Sequence, residues 1–387
     1  MKLMGYLREN GKFGIRNHIL VIPTSVCASE TATRIAALVP GAVAIPHQHG
    51  CCQIGSDLDL TEQTLIGFGK NPNVAAVLVV GLGCDGIQAK HVAESIADTG
   101  KKVDYVVIQE NGGTLKTVSK GAEIAGEMAR VVSKEVRVEF DMSELIVALE
   151  CGGSDPTSGI ASNPSIGYAS NRVVDEGGST ILSETTEVIG AEHLLAERFE
   201  DNSMREKFLM FVNDVEKRAI AMGEDLRSGQ PTPGNKEGGL STIEEKSLGC
   251  MYKAGTQPFK GALDYAEILP EDKKGLYFMD TPGQDIDSIT GMVAGGAQIV
   301  IFSTGRGTPT GSPISPVIKI TGNTDTFNKM PDNIDINAGR IITEGAKISQ
   351  IGEELFIEIV EVSNGKKSKA ESLGHREFGI YRIASTF

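Results

Sequence analysis

Between residues 18 and 110 short apolar runs alternate with longer stretches of helical character, and this rhythm limits the fold more than any other feature of the chain. The runs HILVIPTS (18–25), VAIPH (43–47), AAVLVVGLG (75–83) and VDYVVIQE (103–110) are each followed by a segment suited to a helix, at 28–38, 58–69, 88–99 and 114–134. Strands made of four to eight apolar residues need cover on both faces. Intervening helices supply it, which predicts a parallel sheet in α/β layers. After EVRVEFD (135–141) the rhythm restarts with LIVALEC (145–151), a helix at 164–176, STILSE (179–184) and a long helix at 204–224. GLYFMD (275–280), AQIVIFST (297–304) and PVIKI (316–320) continue it, while 338–387 is mixed. The expected architecture is two layered domains, Rossmann-like or flavodoxin-like with mostly parallel sheets, at 1–140 and 141–387.

In the long helix Phe208, Phe211, Val212, Val215, Ala219 and Met222 fall on one stripe at helical spacing and read as core packing. The segment RSGQPTPGNKEGG (227–239) is rich in Gly and Pro and reads as an active-site lid or a linker.

Composition narrows the function. Lys and Arg number 37 against 51 Asp and Glu, a net charge of −14, which argues against binding to nucleic acid. Trp is absent and aromatics are 5%, so a stacking surface is poorly supplied. The N-terminus MKLMGYLRENGKFGIRNH has no signal-peptide pattern, and no apolar run is long enough to span a membrane. A cytoplasmic chain is expected. In that reducing setting its six Cys read as ligands, nucleophiles or core residues rather than disulfides.

The reactive residues follow one regularity. At the carboxyl ends of the expected strands stand Cys27, His47 with His49 and Cys51, Cys84 with Asp85, Glu110 with Asn111, Cys151, Glu184, Asp280 and Arg306. Open α/β sheets bind ligands beyond those ends. Turns favour polar residues anyway, which accounts for Asn and Asp but poorly for Cys. GLGCDG (81–86) lacks dinucleotide-binding spacing and the Walker lysine, and reads as a tight turn presenting Cys84. ECGGSDPTSG (150–159) offers backbone N–H groups at a helix start, and STGRGTPTG (303–311) sets Arg306 between glycines, suited to gripping a carboxylate. The stretch HQHGCC (47–52) matches neither zinc-finger nor zincin spacing. A catalytic metal drawing ligands from several strand ends, or an iron–sulfur cluster with one open iron, remains open. His193 is a further candidate, although a lone helical His is more often structural.

The motifs GYLRENGKFGIRNH (5–18), NPNVAAVLVVGLGC (71–84), ECGGSDPTSGIASNPSIG (150–167), ILSETTEVIGAEHLL (181–195), GNKEGGLSTIEEKSLG (234–249) and FMDTPGQDIDSITGMVAGGAQIVIFSTGRG (278–307) occur in this order. Together they resemble the altronate/galactarate dehydratase family over nearly the whole chain. The resemblance implies a hydro-lyase that converts a sugar acid to a 2-keto-3-deoxy acid with Fe²⁺ or Mn²⁺. It implies His47, Cys51, Cys84 and Cys151 near the metal, Glu184 or His193 as base, and Arg306 as carboxylate grip. Arg16, Asn17, Ser154 and Asp155 are the implied substrate contacts. Family dehydratases often carry a small domain before the GYLRENGKFGIRN segment, which here begins at residue 5. The resemblance therefore implies a large subunit working with a separate small one, in an oligomer of identical chains. Two departures bear on the substrate: Cys52 stands where the family pattern H-x-x-G-C-G has Gly, and TPTGSPISPVIKITGN (308–323) differs from the usual continuation. A (2R)-sulfolactate sulfo-lyase large subunit is the second reading, and a non-catalytic binding subunit of the same fold the third.

Overall fold

A computed structural model describes residues 1–229 and 231–386. Four strands lie parallel in the spatial order Ala42–Ala44, His18–Pro23, Val74–Gly81, Lys102–Val107. Every residue of Val74–Gly81 is buried, as a strand covered on both faces requires. Successive side chains take opposite faces. Ile19 and Val21 join Ala28 and Ile35 of the helix Val26–Leu38 and Met128 of the helix Thr114–Val132. Leu20 and Ile22 join Leu65 and Phe68 of Ser56–Lys70 and Val92 and Ile96 of Ala89–Ala97.

Seven parallel strands form the larger sheet, in the order Phe259–Leu263, Leu276–Met279, Ser179–Leu182, Ile146–Gly152, Ile299–Thr304, Val317–Thr321, Ile336–Asn337. Chain order reverses between His18–Pro23 and Val74–Gly81 in the first sheet, and between Ile146–Gly152 and Ile299–Thr304 in the second. Those reversals are where ligands bind in open α/β sheets. A third, antiparallel sheet joins Lys2–Leu7 to Phe13–Gly14 and to Val138–Asp141, so not every sheet is parallel.

The two parallel sheets share one core. Leu65 and Phe68 meet Ile289, Met292 and Val293 of the helix Asp285–Ala294. Asn71 Nδ2 donates to the carbonyls of Val293 and Ala297, both at 2.9 Å, and Asn73 Nδ2 to that of Gln298 at 2.8 Å. The C-terminal tail closes the seam. Phe378 packs edge-on against Phe68 with centroids 4.9 Å apart. His49 Nε2 donates to the Ile380 carbonyl at 2.6 Å, and the Asp57 carboxylate accepts from the amides of Ile383 and Ala384 at 2.6 and 2.9 Å. Phe68 has no exposed surface. Phe68→Ala is expected to cost about 3–5 kcal/mol in urea unfolding, with both sheets lost in a single transition.

The long helix runs Asn202–Ala221, capped by the Asp201 carboxylate. Its stripe buries Phe208, Phe211, Val212 and Ala219, and runs out at Met222, which is exposed. The segment 227–239 is not a plain loop: short helices occupy Leu226–Gly229 and Pro233–Glu237, and Gln230 lies outside the described residues. The strand Phe259–Leu263 and the helix Ile348–Ser363 complete the larger layer.

Candidate active site

The carboxyl rim of the seven-stranded sheet carries a dense buried cluster of ionisable groups. Cys151 is the penultimate residue of the strand Ile146–Gly152, and Glu184 follows Ser179–Leu182 in a left-handed conformation with φ of +66°. Non-glycine residues adopt that conformation at a cost, most often at functional sites. Here it turns the chain into the short helix Thr185–Val188, so that Glu184 and Glu187 both reach the cluster. Glu184 Oε2 accepts from the Cys151 amide at 2.9 Å and from Lys253 Nζ at 3.0 Å. Both side chains of that ion pair are 1% exposed. Burial works against the Lys253 ammonium, but Cys151 and Glu184 outweigh it and hold its pKa well above the usual value. Lys246 is half-buried, and Glu187, at 2.5 Å, helps keep it charged.

Two further carboxyls lie close by. Glu150 is fully buried, and burial together with Glu184 holds its pKa well above the ordinary range. Its Oε2 accepts from Ser288 at 2.6 Å, while Oε1 has no hydrogen-bond partner among the described residues. Asp285 begins the helix Asp285–Ala294, and burial followed by repulsion from Glu184 raises its pKa to about 7. A carboxyl poised near neutrality is suited to proton transfer.

Cys151, Glu187 and Cys250 each offer a ligand atom within 4.8 Å of the others, and all three are buried. The two sulfurs are 3.4 Å apart, and Cys250 Sγ donates to Glu187 Oε2 at 3.3 Å. The hydrogen bond with Cys250, then burial, raises the Cys151 thiol well above its usual pKa. Two thiols and a carboxylate suit a soft or borderline cation such as Fe²⁺ better than Mn²⁺, which prefers oxygen ligands.

A cavity of about 200 Å³ opens beside this triad. Ser154, Asp155, Asn163, Lys246 and Cys250 contribute to its wall. Asn163 Nδ2 donates to the Gly249 carbonyl at 2.9 Å, but its buried Oδ1 has no hydrogen-bond partner among the described residues. Ser158–Ser162, immediately before it, form a π-helical turn, a distortion common at functional sites. Asp155 is fixed by Asn323 Nδ2 at 3.0 Å and the Ser158 amide at 3.1 Å. Across the chain reversal, the amides of Gly305 and Arg306 donate to the Gly153 carbonyl at 3.1 and 2.9 Å. Arg306 is half-exposed, donates to the Gly234 carbonyl at 2.9 Å and lines a second cleft of about 600 Å³ with Asp155 and Asn323. Ser154, Asp155, Cys151 and Arg306 therefore share one rim. Segment 233–238 lies over it.

The four-stranded sheet carries a different cluster at its own rim. Asp85 joins the two strands at the reversal, accepting from Ser25 Oγ, from Thr24 Oγ1 at 3.2 Å and from the Leu82 amide at 2.7 Å. Cys27, Cys51, Cys52 and Cys84 are all exposed around it. Cys51 and Cys84 thus stand apart from Cys151, whose near neighbours are Cys250, Glu184 and Lys253.

Several expected site residues are engaged elsewhere. His47 Nε2 donates to the Pro23 carbonyl at 2.9 Å and its Nδ1 accepts from the His49 amide at 3.2 Å, so neither nitrogen is left for a metal in this arrangement. Burial lowers its pKa to about 4, which keeps the ring neutral. Arg16 and Asn17 precede the strand His18–Pro23 and so sit at its amino end, opposite the rim. Arg16 donates to both Glu371 carboxylate oxygens and to the carbonyls of Ile15, Val362 and Lys366. Asn17 Oδ1 accepts from Arg8 at 2.7 Å. In this arrangement both are engaged in fastening neighbouring segments of the chain. His193 is exposed on the short helix Glu192–Ala196, with no hydrogen bond to its ring among the described residues. Glu187, Lys246, Cys250, Lys253 and Asp285 escape sequence reasoning because they lie on helices or helix starts that only the fold turns toward the rim.

The fold is a layered α/β architecture, and a dense cluster of ionisable groups lies at the carboxyl rim of its larger parallel sheet. The chain belongs to the D-galactarate/altronate dehydratase family, and it is a lyase. The C-terminal model of that family, D-galactarate/Altronate dehydratase, matches residues 142–386, and the second-domain model, D-galactarate dehydratase/Altronate hydrolase, matches 5–133. The chain is 39% identical to the (2R)-sulfolactate sulfo-lyase subunit beta of Chromohalobacter salexigens, covering 98% of this chain and 97% of that protein. It is 36% identical to the altronate dehydratase of Escherichia coli, covering 98% of this chain and 78% of that enzyme. Against the altronate dehydratase of Bacillus subtilis it is 34% identical, with 99% and 78% covered. No helix among the described residues is long and apolar enough to cross a membrane.

Proposed function

We propose that the chain is the large subunit of a hydro-lyase that removes water from a sugar acid and leaves a 2-keto-3-deoxy acid. The observation that carries this reading is the cavity of about 200 Å³ beside the buried triad, with the partnerless Asn163 Oδ1 and the ammonium of Lys246 in its wall. A buried acceptor without a donor costs free energy, and a substrate hydroxyl would relieve that cost. Lys246 and Arg306 bind the carboxylate end. Asp285 accepts the proton from the carbon next to that carboxylate, and Lys253, held by Glu184, keeps positive charge close to the enediolate that results. Cys151, Glu187 and Cys250 would hold Fe²⁺, which when bound draws negative charge off the substrate oxygens. Residues 1–140 and 141–387 form two layered units joined through the shared core in this reading, which the matched segments 5–133 and 142–386 support. A separate small subunit and a cytoplasmic setting complete it; the six free cysteines suit a reducing compartment.

The 39% identity to a sulfo-lyase subunit over 97% of its length favours a second reading, in which sulfite leaves from a sulfonated hydroxy acid. Sulfite needs little acid assistance to depart. One experiment separates the readings: purified chain, with and without a small subunit, is offered altronate, galactarate and (2R)-sulfolactate after chelation and again after Fe²⁺ is restored. The expected result is keto acid from a sugar acid, lost on chelation and regained with Fe²⁺. Sulfite release without dehydration would establish the second reading, and no turnover under any condition would leave a binding subunit.

A further inference from the structure

We propose that Cys51 and Cys52 are a reversible modification site, a pair of neighbouring thiols that a small-molecule disulfide closes into a disulfide between adjacent residues. The site lies at the carboxyl rim of the four-stranded sheet and is independent of the reaction proposed above. Both thiols are exposed. Free cysteine is ordinarily among the most buried residue types. The other close pair, Cys151 and Cys250, follows that rule.

The sulfurs of Cys51 and Cys52 are already in contact, 3.8 Å apart. A disulfide holds its sulfurs at about 2.05 Å, and side-chain rotation at an open surface can supply the remaining approach. Cys52 also holds φ of +57°, a left-handed conformation in which glycine rests without strain and a β-carbon is costly. A thiol therefore stands at a position whose backbone suits glycine.

The turn beneath the pair is braced. His47 Nε2 donates to the Pro23 carbonyl at 2.9 Å and His49 Nε2 to that of Ile380 at 2.6 Å. The Gly50 amide donates to Gln53 Oε1 at 2.8 Å, and a Cβ at Gly50 would lie 2.0 Å from the Thr24 carbonyl oxygen. Adjacent Cα atoms are about 3.8 Å apart, short of the ~4.4 Å at which ordinary disulfides begin. The closed ring is consequently strained, and strained or exposed disulfides are the readily reduced ones.

The exchange balances with oxidised glutathione as co-reactant. One thiol of the pair loses its proton and attacks a glutathione sulfur, the glutathione S–S bond breaks, and one glutathione thiolate leaves with the proton. The second thiol loses its proton and attacks the protein-bound sulfur. The mixed disulfide breaks, the bond between Cys51 and Cys52 forms, and the second glutathione leaves as a thiol. Two protein thiols are oxidised and one glutathione disulfide is reduced.

The test uses the full chain, reduced and free of metal. It is incubated with oxidised glutathione, alkylated, and mapped by peptide mass spectrometry. The peptide holding Cys51 and Cys52 is expected to be lighter by two hydrogen atoms and unalkylated at both positions, and reduced glutathione should restore both thiols. C52G leaves Cys51 without its neighbour, so Cys51 should instead retain glutathione. The C27S/C84S double variant should close the same ring as the parent protein. Far-ultraviolet circular dichroism and urea midpoints confirm that each variant is folded. Any of four results in the parent protein would overturn the proposal: full alkylation of both residues, glutathione retained on either, a bond from either to Cys27 or Cys84, or a ring that reduced glutathione does not open.

Discussion

Lys253→Met is expected to lower folding stability by about 3–5 kcal/mol, the range seen when one member of a buried ion pair is removed. Lys253 is fully buried, and its ammonium lies 3.0 Å from Glu184. Without it the Glu184 carboxylate remains in a dry cluster already holding Glu150, Glu187 and Asp285. The double variant Lys253→Met with Glu184→Gln removes both charges and should recover a large part of the loss, since replacing a buried pair outright is often nearly neutral. Urea midpoints for the two singles and the double measure the coupling. A single variant within about 1 kcal/mol of the parent protein would show that the pair carries little of the cluster's electrostatics.

Asp285→Asn is expected to lower kcat by about 10²–10⁴, the usual worth of a positioned general base. The pH dependence separates this role from a structural one. Burial and Glu184 raise the Asp285 pKa to about 7, with Glu187 adding to the rise and Lys246 opposing it. A proton acceptor must be ionised, so kcat/KM should climb as pH rises through about 7 and then level off. In the Asn variant the residual activity should lose that limb. Equal loss at every pH, with the limb intact, would assign the limb to another group. The substitution removes a charge and leaves the volume almost unchanged, so the fold should persist.

The two central strands of the first sheet were legible in the sequence because they are buried on both faces and leave no polar alternation to confuse with a helix. The run at 75–83 corresponds to Val74–Gly81, and 18–25 to His18–Pro23. Which strand lies beside which was not legible, because that depends on helices crossing the sheet rather than on any strand's own residues. Lys2–Leu7 escaped notice for a related reason. Its partner, Val138–Asp141, stands more than 130 residues away, and its buried face holds only Leu3 and Gly5.

The strand-end rule put Cys151, Glu184 and Arg306 on one rim, where the structure also has them, because a parallel sheet aligns all its carboxyl ends. It could not see that one chain builds two such rims, so it merged Cys51 and Cys84 with Cys151. Arg16 shows the opposite difficulty. The resemblance implies Arg16 as a substrate contact, but at the amino end of a strand its donors go to Glu371 and three carbonyls. Lys246 and Lys253 gave no signal, since a lysine in a helical segment ordinarily faces solvent.

The contacts of Asp57 with Ile383 and Ala384 bridge 326 and 327 positions, and that of His49 with Ile380 bridges 331. During synthesis from the N-terminus, the loop carrying Cys51 and Cys52 leaves the ribosome long before the residues that secure it. Its final shape is therefore a late event in maturation, set only once residues 380–384 have been made.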